Sequence, residues 1–211
     1  MKKRRRVPVA PEGWPFILVP AAIAAGLALT GRRKLALPFA AAAGASLGFF
    51  RDPERESPVL HNAALAPADG RVMEVSDAVD PFVGPAVRVA IFLSPLDVHV
   101  NRSPISGLVV SANYTAGKFV AAFRPGAEDN ERCAVHIQGE TARVTVVQIV
   151  GVAARRIVCR VSAGDKLVAG ERFGMIRFGS RTDLYMPRGT DVRVRVGDRV
   201  TAGVTVVGVL P

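Results

Sequence analysis

The first fifty residues consist mainly of two long apolar runs. Residues 14–30 and 35–50 are apolar almost throughout, and Arg32, Arg33 and Lys34 lie between them. The runs contain 17 and 16 residues, whereas a transmembrane helix usually needs about 20. The pattern therefore predicts a basic and apolar helical segment over residues 1–50, folded as a hairpin.

The pattern changes after residue 64 to short segments of alternating or β-branched residues. Gly, Pro, Asn and Asp separate these segments, which is typical of β-rich sandwiches and barrels. Strands are predicted at 71–75, 86–93, 107–112, 143–150, 156–161 and 192–196. The predicted fold class is mainly β (a β-rich α+β fold), with a barrel-sandwich-like catalytic domain over residues 51–211.

A weak internal repeat supports this architecture. The segment SAGDKLVAG (162–170) resembles VGDRVTAG (196–203), and their Gly-Asp pairs are 33 residues apart. Each copy is typical of a turn followed by a short strand and a second turn. The repeat is similar to the hairpins of biotinyl and lipoyl carrier domains. Because residues 171–196 contain no Lys to modify, we interpret it as architecture.

The charge is concentrated at the N-terminus. The net charge is +10, and residues 1–34 contribute +7 of it, with eight basic residues and one acid. The nearly neutral remainder argues against a nucleic-acid partner. The basic residues favour anionic head groups at the cytoplasmic face of the cell membrane, with peripheral or shallow insertion. A spanning helix and a hairpin packed on the domain stay open.

The metal-binding residue types are scarce. Two cysteines exclude a disulfide-stapled scaffold and a four-cysteine zinc site, and three histidines leave little room for a histidine-rich metal centre. We therefore expect no metal.

Four segments stand out in their order and spacing. They are FFRDPER (49–55), APADGRV (66–72), FLSPLDVHVNRSP (92–104) and FGMIRFGSR (173–181), supported by GKF (117–119) and NER (130–132). Together they resemble the short form of the phosphatidylserine decarboxylase proenzyme family from about residue 48 to residue 190.

The resemblance implies a self-processing enzyme. Ser180 would attack the Gly179 carbonyl, and the resulting ester would eliminate and hydrolyse to a pyruvoyl group and ammonia. The products would be a β chain of residues 1–179 and an α chain of residues 180–211. The pyruvoyl group, with no pyridoxal phosphate, would form a Schiff base with phosphatidylserine in the membrane. Loss of CO₂ would then give phosphatidylethanolamine. A homo-oligomer stays open.

The resemblance also implies roles for individual residues. Asp69 would orient or activate a proton acceptor for Ser180, and His99 would take the Ser180 proton or return a proton to the substrate. Arg102 stands where the long members carry a second histidine. Since arginine stays protonated, it would instead bind the substrate's phosphate or carboxylate. Either His99 serves both steps, or maturation depends on another base. Lys118 and Phe119 are also predicted to bind substrate.

Three alternatives accompany this interpretation. A relative could act on another amine-bearing carboxylate, and acyl and head-group selectivity cannot be separated by sequence. A membrane-anchored binding module would carry the same β pattern and stay uncut. A serine hydrolase is disfavoured because the Gly-x-Ser-x-Gly elbow is missing.

Overall fold

The computed structural model describes residues 8–121, 124, 126–151, 156–177 and 180–211. The chain divides into two compact units, Met1–Glu54 and Arg55–Pro211. Strands hold 43% of the residues and helices 20%. The predicted mainly β fold class is therefore confirmed.

The first unit contains two helices that follow the apolar runs. Helix α1 spans Trp14–Leu29 after a short 3₁₀ turn at Pro11–Gly13, and helix α2 spans Arg33–Phe49. The two helices pack on each other. Many apolar side chains on them face solvent, including Leu18, Leu29 and Leu37. Among the described residues, Pro11–Leu29 alone is long and apolar enough to cross a membrane.

The second unit contains fourteen strands in its described part. They are β1 (Ala63–Leu65), β2 (Gly70–Asp80), β3 (Gly84–Leu93), β4 (Val100–Arg102), β5 (Gly107–Thr115), β6 (Arg132–Gln138), β7 (Arg143–Val150), β8 (Arg156–Cys159), β9 (Lys166–Leu167), β10 (Arg172–Arg177), β11 (Ser180–Pro187), β12 (Asp191–Val192), β13 (Arg199–Val200) and β14 (Val206–Val209). They form an eight-stranded sheet, β13-β2-β3-β11-β7-β6-β5-β9, and two three-stranded sheets, β1-β14-β12 and β4-β10-β8.

The sequence repeat forms the two edges of the large sheet. Strand β9 in the first copy pairs with β5, and strand β13 in the second copy pairs with β2. Gly164 and Gly197 open the copies with φ values of 96° and 98°, which an L side chain rarely adopts. The carboxylates of Asp165 and Asp198 each accept a backbone N–H from three residues earlier, at 2.8 Å. The repeat is thus two copies of one edge hairpin.

The inner face of the large sheet carries the core and ends in polar residues. Val144, Val146, Leu184 and Met186 on β7 and β11 belong to one buried apolar cluster with residues of β3, β5 and β6. Further along the same faces the buried residues become polar: Gln148, Ser180 and Thr182. Because side chains on one face recur every two residues, these three point into the same end of the unit. This polar end is where we place the candidate site.

Candidate active site

Ser180 lies in the middle of the sheet at the start of β11. It pairs with Leu93 of β3 on one side and Val150 of β7 on the other, and its relative exposure is 0%. Its Oγ has no hydrogen-bond partner among the described residues. Buried hydroxyl groups are normally paired, so an unpaired one needs an explanation. The preceding Gly179, the other predicted cleavage residue, lies outside the described residues.

His99 is a buried residue whose imidazole orientation is fixed by the backbone. Its Nδ1 lies 2.9 Å from the carbonyl oxygen of Asp97. Since a carbonyl oxygen only accepts, Nδ1 carries the proton and donates it. In the neutral ring, Nε2 therefore carries the lone pair of a base. The Asp97 carboxylate accepts the N–H of Ser94 at 2.8 Å and so shapes the loop that precedes His99.

A network of buried amides connects the His99 strand to β11. Asn101 lies on β4, two residues after His99. Its Nδ2 donates to Thr182 Oγ1 at 3.1 Å, and its Oδ1 accepts from Gln148 Nε2 at 2.9 Å. Thr182 lies two residues after Ser180 on the same face of β11. The network thus places His99, Ser180 and Gln148 at one end of the unit.

Asp69 lies in a turn that supports this network. Both of its carboxylate oxygens bind Arg55, at 2.6 and 2.7 Å, and Oδ1 also accepts the N–H of Ala202 at 2.8 Å. Two residues earlier, the Pro67 carbonyl accepts the N–H of Arg102 and Nδ2 of Asn101, at 3.0 and 3.3 Å. Asp69 therefore anchors the turn that holds strand β4.

Arg102 is buried, with a relative exposure of 4%. One guanidinium nitrogen donates to the Gly170 carbonyl at 3.0 Å. A Cβ at Gly203 would lie 2.9 Å from the Arg102 side chain, so the glycine makes room for it. The structure thus places Arg102 between the second turns of the two repeat copies.

Lys118 and Phe119 lie on a loop between β5 and β6. Phe119 is half-exposed, and the exposed Lys118 ammonium lies 3.4 Å from Asp129. The loop is fastened by Asn130, which accepts the Val120 N–H at 2.9 Å and donates to the Val120 and Val150 carbonyls at 2.7 and 2.8 Å. Since Val150 pairs with Ser180, Asn130 ties this loop to the strand beside Ser180.

A buried ion pair lies on the opposite face of β11. Arg181 donates to both Asp183 oxygens at 2.6 Å and to Glu128 at 3.1 Å. The backbone N–H of Glu128 itself, assisted by Arg181, lowers the pKa of the Glu128 carboxyl below its usual value. The ion pair stabilises β11 on the face opposite Ser180, which faces the site.

The two cysteine thiols are close together. A hydrogen bond with Cys133 lowers the pKa of Cys159 to about 7, although burial opposes the shift. Cys159 is half-buried and Cys133 is buried. The sequence pattern gave no signal of this contact. Within the described ranges, no group of three or more His, Cys, Asp or Glu side chains could hold a metal ion.

Sequence reasoning also missed Gln148. The signal was available, because Gln148 is the single amide in the otherwise β-branched run VTVVQIV (144–150). A polar residue at an inward position of a strand is typical of a paired core amide or of a site.

Comparison with known proteins agrees with this geometry. The family described as phosphatidylserine decarboxylase matches residues 45–208. A phosphatidylserine decarboxylase proenzyme of Burkholderia mallei is 44% identical over 206 residues, covering 96% of this chain and 95% of the relative. Proenzymes of Aromatoleum aromaticum and Oleidesulfovibrio alaskensis are 43% and 47% identical, covering 96% and 94% of this chain and 96% and 92% of their own lengths.

These matches define a class of enzyme, a lipid-directed carboxy-lyase. The chain belongs to the phosphatidylserine decarboxylase family. The family resemblance predicted from its motifs is therefore confirmed. Its reaction class is the decarboxylation of phosphatidylserine.

Proposed function

We propose that the chain cuts itself between Gly179 and Ser180 and carries out its decarboxylation on the pyruvoyl group so formed. The observation that carries the proposal is the Ser180 hydroxyl, which is fully buried and has no partner among the described residues. A hydroxyl kept only for folding would be paired in this position. The relatives' printed names, which call them proenzymes, support the same step.

His99 is the base that we assign to self-cleavage. Nε2 carries the lone pair, because Nδ1 donates to the Asp97 carbonyl. It would take the Ser180 hydroxyl proton as Oγ attacks the carbonyl of residue 179, and the Ser180 nitrogen would leave. Loss of the Cα proton then breaks the Cβ–Oγ bond, and residue 179 leaves as a carboxylate. Water replaces the nitrogen, which leaves as ammonia, and the ketone is formed.

The residues present fit this built-in cofactor, because Ser180 supplies its three carbons and lies with the buried polar residues Gln148 and Thr182 on one face of the sheet. When formed, the pyruvoyl group supplies a ketone for Schiff-base formation with the substrate amine and an electron sink for the loss of CO₂. His99 Nε2 would then hold the proton that replaces the carboxylate on the substrate carbon. No step in this account needs a metal ion or pyridoxal phosphate.

The other predicted residues take supporting or binding roles. Asp69 orients the site through the Pro67 turn, and Phe119 offers a half-exposed apolar contact to the lipid. Lys118 is exposed and suited to the lipid phosphate. Arg102 stays a predicted substrate ligand, although one of its guanidinium nitrogens donates to the Gly170 carbonyl.

The first unit would bring the enzyme to its substrate in the membrane. Helices of 16 and 17 residues are about 25 Å long, shorter than the ~30 Å hydrocarbon core. The first reaches the minimum length for a span only together with the 3₁₀ turn at Pro11–Gly13. The end of the connection and the first turn of α2 carry Arg32, Arg33 and Lys34, which favour anionic head groups. We therefore propose peripheral or shallow insertion at the cytoplasmic face.

The experiment compares the wild-type protein with two serine variants. Intact mass is measured under denaturing conditions, and CO₂ release is measured from phosphatidylserine vesicles. The wild type is expected as two fragments that release CO₂, and Ser180→Ala as one inactive chain. Ser162→Ala, an exposed serine in the first repeat, is the matched control and should behave as wild type. An uncut and active wild type would overturn the proposal.

Membrane attachment has its own test by flotation with vesicles that contain or lack anionic phosphatidylglycerol. Replacing Arg32, Arg33 and Lys34 with Gln should weaken binding to the anionic vesicles. The same change at exposed Arg71, Arg143 and Arg193 should leave it unaltered. Equal binding by both triple variants would exclude the head-group role of Arg32, Arg33 and Lys34.

A further inference from the structure

The Gln148 carboxamide is held in one orientation by a chain of hydrogen bonds that begins at a proline carbonyl. The Pro67 oxygen can only accept, so Asn101 must turn its NH₂ group toward it. The Asn101 oxygen then faces Gln148, which must present its own NH₂ group at 2.9 Å. Gln148 Oε1 consequently points away from Asn101, and no other orientation satisfies all three groups.

Gln148 Oε1 is a buried acceptor for which the described residues offer no donor. The residue has a relative exposure of 0%, and Oε1 has no hydrogen-bond partner in the part of the chain that the structure describes. Its neighbour across the strands β7 and β10 is Gly174, where a Cβ would lie 2.8 Å from Nε2 and 3.4 Å from Oε1. The glycine thus leaves space for the amide. Burying an unpaired amide oxygen costs stability, so a ligand group is its natural partner.

The position of Gln148 makes it a neighbour of Ser180. Gln148 lies opposite Thr182, and Val150, two residues further along β7, lies opposite Ser180. Side chains in such a diagonal relation are about 7–8 Å apart at the backbone, within reach of a long side chain. Gln148 and Ser180 also face the same end of the unit.

The chemistry of the matured site then restricts which group can pair with Oε1. After processing, the former Ser180 carries only carbonyl oxygens, which accept and do not donate. The carboxylate and phosphate of the substrate are acceptors as well. The substrate's ammonium, with three N–H groups, is the donor that the head group offers.

We propose that Gln148 binds the amino group of the substrate's serine head group, and that Asn101 is the positioning residue that fixes its polarity. This inference rests on the proposed function. Gln148 would make the enzyme bind lipids with an amine-bearing head group more tightly than lipids that lack the amine. Oε1 attracts the ammonium and repels the carboxylate, so the head group enters with its amine toward residue 180.

The test measures binding after the ketone has been converted to its O-methyl oxime with methoxyamine, so that no reaction follows and no new hydrogen-bond donor is created. Calorimetry compares short-chain phosphatidylserine with an analogue in which hydrogen replaces the amino group. In the wild type the amine-bearing lipid should bind more tightly. Gln148→Met should weaken that lipid about tenfold or more, since a hydrogen bond to a charged group is lost, and leave the analogue within about twofold.

Three further measurements separate the possible outcomes. Intact mass gives the self-cleaved fraction of the wild type and of Gln148→Met, and binding is expressed per cleaved chain. The KM for phosphatidylserine should rise more than kcat falls. Asn101→Leu should also reduce the preference for the amine-bearing lipid. The control is Gln138→Met, a glutamine-to-methionine change at a part-exposed position on β6, which should leave that preference unaltered. Equal weakening of both ligands, or of neither, in Gln148→Met would overturn the inference. A wild type that stays uncut would instead defeat the proposed function.

Discussion

Arg181 and Asp183 form a bidentate ion pair, at 2.6 Å for both contacts, on the face of β11 opposite Ser180. Both side chains are almost fully buried, with relative exposures of 2% and 1%. The pair fixes the strand that would begin with the new N-terminal residue after self-cleavage. Its position gives a structural reason for an arginine directly after Ser180, the serine at which self-cleavage is proposed.

Removing one partner should destabilise the protein strongly. Arg181→Met leaves the Asp183 carboxylate buried without its main partner, and such changes cost about 3–5 kcal/mol. Urea unfolding in a Ser180→Ala background, where the chain is expected to stay whole, measures the effect. Arg193→Met, in an exposed pair with Asp191, should cost about 1 kcal/mol or less. Equal midpoints for the two variants would contradict the role of the pair.

His99→Asn tests the base assigned to self-cleavage. The Asn amide can still donate to the Asp97 carbonyl but has no counterpart of Nε2. We expect cleavage to slow by about a hundredfold or more, the usual contribution of a positioned base. The appearance of the two fragments after cell-free synthesis gives the rate. His136→Asn, which loses a contact with Ser111, is the control, and cleavage of His99→Asn at the wild-type rate would exclude His99 as the base.

Asn130→Ala tests the loop that carries Lys118 and Phe119. The change removes three hydrogen bonds and leaves buried backbone groups unpaired, so we expect a loss of about 2–4 kcal/mol and a lower Tm. The KM for phosphatidylserine should rise as well, because the loop is no longer tied to Val150. Asn113→Ala, at an exposed position on β5, should change neither value. A lower Tm with an unchanged KM would limit Asn130 to stability.

Cys159 should react with iodoacetamide at unusually low pH. Its pKa of about 7 is below the ordinary value of about 8.5, so the thiolate becomes abundant as the pH rises through 7 rather than through 8.5. Cys133→Ala removes the hydrogen bond that lowers the pKa and should move the labelling curve to higher pH. Identical curves for the wild type and Cys133→Ala would contradict the thiol contact.

The sequence pattern predicted the strands whose buried residues are apolar. The strands at 86–93, 107–112 and 143–150 lie within or match β3, β5 and β7, because apolar residues face the core in each. Strand β11 was missed because Ser180, Arg181, Thr182 and Asp183 are polar and nevertheless buried. The strand predicted at 192–196 pairs with β14 only as far as Val192. After Val192, the Arg193 N–H donates to the Val207 carbonyl.

The site was predictable only where a motif carried it. Ser180 and His99 were identified through the family resemblance, and the structure brings their strands together through Asn101. The orientation of Gln148 depends on Asn101, which is 47 positions away in sequence, and Asn101 also contacts Thr182, which is 81 positions away from it. Such pairing cannot be read from spacing. The Asp69 anchor likewise depends on Ala202, which is distant in sequence.

The most direct test of the central claim is the intact mass of the purified protein under denaturing conditions. The account predicts two species divided between Gly179 and Ser180. The smaller species, 32 residues in length by its position in the sequence, should be lighter by one ammonia molecule than a fragment that begins with serine. A single chain of 22.3 kDa that releases CO₂ from phosphatidylserine, or a small fragment that retains an N-terminal serine, would contradict the account.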